Sequence, residues 1–134
     1  SGLTVALVRL LDSVSQQDPI LARNMLAHAN TETEVRIANT GIGLKNLYVN
    51  GIGMKWASHF LGELGFSHDQ LAVLDFHVVH QLVSLGVIGR QPTSLSAKTY
   101  LIIEQIMKDW ARKEIPEIPF DHVNLVLFEL DRSS

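Results

Sequence analysis

Three groups in this sequence are capable of chemistry: a lysine just behind a pair of glycines, an aspartate heading an apolar run, and two histidines three residues apart. The lysine lies in Val49-Asn50-Gly51-Ile52-Gly53-Met54-Lys55-Trp56-Ala57. Two glycines around one apolar residue, between two short helices, permit positive φ and leave backbone N–H groups uncovered. Those amides would stand at a helix start, where the partial positive charge sits, and could hold a phosphate without an arginine. Asn50, Gly51, Ile52 and Gly53 are therefore candidate phosphate-binding positions, with Ile52 plugging the hairpin into its own core. An ordinary tight αα-hairpin would use the same glycines, and spacing alone leaves both readings open. Lys55 is a candidate catalytic group or a solvated helix residue. Asp75 is a candidate catalytic group or simply a helix N-cap. His77 and His80 have a spacing that suits a metal, but no third ligand is grouped with them. No metal and no cofactor is expected.

The elements that must position these groups read as helices throughout. Leu3 to Val14 carries a broad apolar face. Asp18 followed by Pro19 is a start signal for a helix running to about Ala29. A weak helix at 34–38 and a turn-rich stretch at 39–43 follow. Leu44 to Val49 is a short apolar helix, and Met54 to Leu64 is a second one with Gly65 at its C′ position. After a loop over 66–74, Asp75 caps a helix to Leu85 that turns Val78, Val79, Leu82 and Val83 inward and stops at Gly86. Ser96 caps the longest helix, which runs to about Lys113 with Tyr100, Ile103, Ile106, Met107 and Trp110 on its apolar face. Pro116 and Pro119 bracket a break. Asp121 to Leu130 closes the chain with Val123, Val126, Leu127 and Leu130 on its inner face. Trp56, Phe60 and Trp110 sit at core spacing and read as packing groups. The expected fold class is all-α, a single helical domain over 1–134 built around a helix-hairpin-helix motif. Its N-terminal helices occupy 1–43, the hairpin 44–65, and the aspartate helix with the C-terminal helices 66–134.

Composition narrows the function. The chain has 134 residues, 46% of them apolar, enough for one real core. It contains no cysteine, which removes disulfide scaffolds, cysteine nucleophiles and cysteine-ligated iron–sulfur clusters. No apolar run approaches the twenty or so residues that cross a bilayer, and no basic, apolar leader is visible. An intracellular location, in cytoplasm, nucleoid or nucleus, is expected, with no membrane association. The net charge is −3 and the basic residues are dispersed. A nucleic-acid contact would therefore rely on backbone amides.

Gly51-Ile-Gly-Met-Lys-Trp-Ala-Ser-His-Phe-Leu61, Val73-Leu-Asp-Phe-His77, Ser94-Leu-Ser96 and Tyr100-Leu-Ile-Ile-Glu104 together resemble the helix-hairpin-helix DNA glycosylase superfamily. The similarity is greatest to its archaeal-type 8-oxoguanine DNA glycosylase/AP lyase branch. It runs from about Leu44 to Leu130, and the lysine-plus-aspartate arrangement is far more specific than the glycines. The resemblance implies a DNA repair enzyme acting on duplex DNA with a damaged base. It implies that Lys55 attacks the sugar C1′ as an amine and that Asp75 stabilises charge on the sugar and assists deprotonation. It places His77 near the DNA backbone and Asn124 and Phe128 among the substrate-binding positions.

Two departures shape the expectations. About fifty residues precede the hairpin, fewer than in the family, where a longer helical region walls the pocket for the flipped base. Three expectations follow: a fragment, a reduced homologue, or a pocket completed by self-association or a second chain. In addition, the last helix reads Val123-Asn124-Leu125, with Phe128 where the branch carries tryptophan. The alternative to an enzyme is a non-catalytic DNA-binding or protein-interaction module that keeps the hairpin.

Overall fold

Asp18 and Pro19 divide what would otherwise be one long N-terminal helix. In the computed structural model, which describes residues 2–27 and 53–134, α1 spans Gly2–Gln17 and α2 spans Pro19–Ala27. Asp18 closes α1 by donating its N–H to Val14 O at 2.8 Å, while its Oδ1 accepts from the Leu21 N–H at 3.0 Å. One aspartate thus ends one helix and caps the next, with proline at the first helical position. The expected elements between 28 and 52, including the Leu44–Val49 helix and the residues Asn50, Gly51 and Ile52, lie outside the described residues.

Two compact units make up the chain, Ser1–Leu71 and Ala72–Ser134. In the first, α3 (Gly53–Glu63) packs on α2, and α2 packs on α1. Ala22, Leu26 and Ala27 of α2 and Met54, Ala57 and Leu61 of α3 are buried. Gly65, with φ +78°, ends α3 in a Schellman motif: its N–H reaches Gly62 O, and the Phe66 N–H reaches Leu61 O at 2.8 Å. The loop beyond turns through His68 and Asp69, both in the left-handed region at φ 49° and 59°.

In the second unit, α4 (Phe76–Ser84) and α5 (Ala97–Glu114) both pack on α6 (Phe120–Arg132). Ser96 caps α5 by accepting from the Thr99 N–H at 3.2 Å. Gly86, with φ +74°, ends α4 in a second Schellman motif, Val87 N–H to Leu82 O at 2.9 Å. The core comprises Leu74, Val78, Val79, Leu82, Tyr100, Ile103, Met107, Phe120, Val123 and Leu127.

Among the described residues there are six helices and no strand, as the all-α expectation required. None is long and apolar enough to cross a membrane. The inner face of α6 departs from expectation. Val126 and Leu130 are 48% and 51% exposed, and Asp131 takes the buried position instead. The buried set Phe120, Val123, Leu127 and Asp131 follows a 3-4-4 spacing, so the stripe is turned by about one residue from the one read in the sequence. Val126 and Leu130, with Leu125, Glu129 and Ser133, line a shallow open groove on the outer side.

Candidate functional site

Lys55 takes its place from α3. It is the third residue of that helix and half-buried, and its side chain makes no hydrogen bond or ion pair with any described residue. Gly53, the last hairpin position, is buried at the helix start. One turn further along α3, Ser58 donates to Met54 O at 2.8 Å and accepts from Arg23 Nη1 at 3.0 Å. Arg23 is fully buried on α2, and its Nε also donates to Asn24 Oδ1 at 2.9 Å. A guanidinium removed from water must be hydrogen-bonded, because an unmet donor there is costly. Arg23 therefore fixes how α2 meets the helix that carries Lys55. Trp56 and Phe60, both half-buried, stack on each other at 5.1 Å along that helix.

Asp75 is held by other means. Its backbone is extended (φ −82°, ψ 178°), and its Oδ1 accepts from the Val78 N–H at 2.8 Å, which makes it the N-cap of α4. Oδ2 has no hydrogen bond among the described residues, so half of the carboxylate is left for other work. The three residues before it, Ala72, Val73 and Leu74, belong to no helix or strand. Side chains satisfy their backbone instead. Glu104 Oε2 accepts from the Ala72 N–H at 2.7 Å. The Tyr100 hydroxyl donates to Ala72 O and accepts from the Leu74 N–H at 3.1 Å. The Asn124 carboxamide pairs with both ends of Val73, accepting from its N–H at 2.9 Å and donating to its carbonyl at 3.2 Å. Asn124, expected to meet substrate, thus has both ends of its amide engaged with the segment leading to Asp75.

His77 and His80 converge on one carboxylate. Their Nδ1 atoms lie 3.0 and 2.5 Å from Asp131 Oδ2 and Oδ1. An ionised carboxylate only accepts, so each ring carries a proton on Nδ1, and Nε2 is the atom turned away. In a neutral ring that atom is an acceptor, and it donates only when the ring is doubly protonated. The hydrogen bond from His80 is the largest influence on Asp131 and holds its carboxyl below the usual carboxylate range. Burial opposes this, while the His77 bond and the charge of the two rings add to it. Phe128 meets His77 edge-on at 5.2 Å, and Phe76, 65% exposed, stacks on His80 at 5.6 Å. Of the expected positions, the structure thus gathers His77 and Phe128 together, and Asn124 with the residues just before Asp75. No group of three or more metal-binding side chains occurs among the described residues.

Sequence reading missed Arg23, Tyr100, Glu104 and Asp131 as site-supporting groups. Each interrupts or shares an apolar stripe: Arg23 falls between Ala22 and Leu26, Glu104 beside Ile103, and Asp131 beside Leu130. A polar residue at a helix position facing the core is the signal that could have found them.

Residues 10–115 match the family model described as Ogg-HhH, 8-oxoguanine DNA glycosylase. The chain is 41% identical over 80 residues to the 8-oxoguanine DNA glycosylase/AP lyase of Fusobacterium nucleatum, a stretch covering 60% of this chain and 36% of that one. It is 39% identical over 83 residues to the protein of the same description from Methanocaldococcus jannaschii, covering 62% and 35%. For that of Korarchaeum cryptofilum the identity is 38% over 65 residues, covering 48% and 30%. The match therefore spans about a third of the length of these relatives. No solved structure matches the chain.

Proposed function

Because this chain belongs to the 8-oxoguanine DNA glycosylase family, we propose that it excises an oxidised purine, 8-oxoguanine, from duplex DNA and nicks the resulting abasic strand. The observation that carries this reading is that the family match runs through both Lys55 and Asp75. In this proposal the neutral Lys55 amine attacks C1′ of the damaged nucleotide. The bond from C1′ to the base breaks, and the base leaves with the bonding electrons and takes up a proton. Loss of a proton from nitrogen and opening of the sugar ring give a Schiff base. Removal of a C2′ proton then expels the 3′ phosphate by β-elimination, and water releases Lys55. The Asp75 carboxylate stabilises positive charge on the sugar and assists the proton transfers. Its engagement as a cap leaves Oδ2 for that task. His77, and the hairpin amides of Asn50, Gly51, Ile52 and Gly53, hold the DNA backbone.

Borohydride reduces the Schiff base to a stable amine and so tests the proposal directly. Duplex carrying 8-oxoguanine or an abasic site is expected to give a covalent adduct with the wild type and none with Lys55→Gln. An adduct of equal yield in both proteins rejects Lys55 as the nucleophile. The rival reading is a non-catalytic DNA-binding module that keeps the hairpin. That reading predicts duplex binding that weakens with salt, with neither adduct nor nick.

A further inference from the structure

We infer that Tyr100 and Glu104 are positioning residues that aim Asp75 by holding the three residues before it. This rests on the reading of Asp75 as the carboxylate that acts on the sugar.

A buried backbone must have its N–H and C=O groups met. Ala72 and Leu74 are 0% and 2% exposed, and water cannot serve them. A buried segment outside a helix normally solves this by joining a sheet, and there is none among the described residues. Tyr100 and Glu104 are four residues apart, so they stand one above the other on the same face of α5. Both are fully buried there, at 0% and 1% exposed. The Tyr100 hydroxyl bridges Ala72 O and the Leu74 N–H, while Glu104 holds the Ala72 N–H at 2.7 Å. Asn124, reaching from α6, takes the remaining pair on Val73. Five backbone groups in three consecutive residues are thus fixed by three side chains. The chain leaves this clamp at Leu74 and delivers Asp75 at once into its capping conformation. A carboxylate has to be aligned with the charge it stabilises, and here the alignment is set from α5.

A hydrophobic helix needs only an apolar ring at position 100, so Phe would serve packing equally well. The hydroxyl distinguishes the two roles. Tyr100→Phe keeps the ring and removes both hydrogen bonds, and it is expected to fold. With abasic-site duplex under single-turnover conditions, borohydride trapping should slow by about 10- to 100-fold, the loss typical of a misplaced reacting group. The Kd for the same duplex should stay within about two-fold, because uniform binding is untouched. Hydrogen exchange supplies a second readout that needs no activity. The Val78 amide, bonded to the Asp75 side chain, should exchange faster in the variant, while Val123 on α6 should not change. Wild-type trapping rate in Tyr100→Phe, or unchanged exchange at Val78, overturns the positioning role and leaves the lyase proposal standing. A wild-type protein that traps nothing overturns the lyase proposal and the positioning role with it.

Discussion

Lys55 and Asp75 ride on two contrasting pieces of backbone. Lys55 sits in a helix whose own hydrogen bonds fix its φ and ψ, so the rest of its unit needs only to dock that helix. Asp75 ends a segment, 72–74, that belongs to no helix and makes no backbone–backbone hydrogen bond among the described residues. Side chains from 26 to 51 residues further along supply its partners. Docking a helix is a matter of area and a few anchors, and errors spread over the whole element. Clamping a segment outside any helix is a matter of individual hydrogen bonds, and an error falls on the residue next in line. Disturbing the first region should therefore cost stability, whereas disturbing the second should cost aim.

The largest stability effect is expected at Arg23. Arg23→Ala removes a fully buried side chain and its bonds to Ser58 and Asn24. The loss should be about 2–4 kcal/mol, from the cavity and the broken buried hydrogen bonds together. Urea unfolding checks it as a lower midpoint at unchanged slope. A loss below about 0.5 kcal/mol, the range of an ordinary surface substitution, would show that apolar contact alone docks α3.

A smaller effect, and the sharpest contrast, is expected at Asp75 itself. Asp75→Ala removes the cap of α4 and should cost about 0.5–2 kcal/mol. Asp75→Asn keeps a capping oxygen for the Val78 N–H and should cost little, since asparagine caps about as well as aspartate. Both should suppress adduct formation, because both lack the charge. Thermal melts beside trapping assays separate the two roles. An Asp75→Asn protein that traps as fast as the wild type would reduce Asp75 to a cap.

The same contrast explains what the sequence made legible. Asp18, Asp75 and Ser96 could be read as caps, and Gly65 and Gly86 as stops, because each acts within four residues of itself. Six helices followed from local pattern for the same reason. Tyr100 was placed on the apolar face of its helix correctly, yet nothing local shows where its hydroxyl goes. Glu104, Asn124 and Arg23 find partners 32, 51 and 35 residues away, and periodicity does not see that far. On α6 a broad stripe admitted two faces differing by one residue. Apolar count favoured Leu130 as the inner residue, while the two histidines of α4 selected Asp131.

That last choice gives the mildest prediction, and it extends the comparison to a third mode of fixing a side chain, by charge. Asp131 is held below the usual carboxylate range in the folded chain, chiefly by the His80 hydrogen bond. In the unfolded chain it titrates near the ordinary aspartate value of about 3.9. Folding therefore favours the ionised form. The contribution to stability is complete above that ordinary value and is lost as pH falls through the lower folded one. Asp131→Asn keeps the shape and cannot ionise. Its stability should lie below that of the wild type at neutral pH, and the gap should narrow as the pH is taken below about 3.9. Urea midpoints collected for both proteins across that range test the point. A gap that stays constant with pH would mean that Asp131 ties α6 to α4 by shape and neutral hydrogen bonding. The two imidazoles would then be oriented without help from its charge.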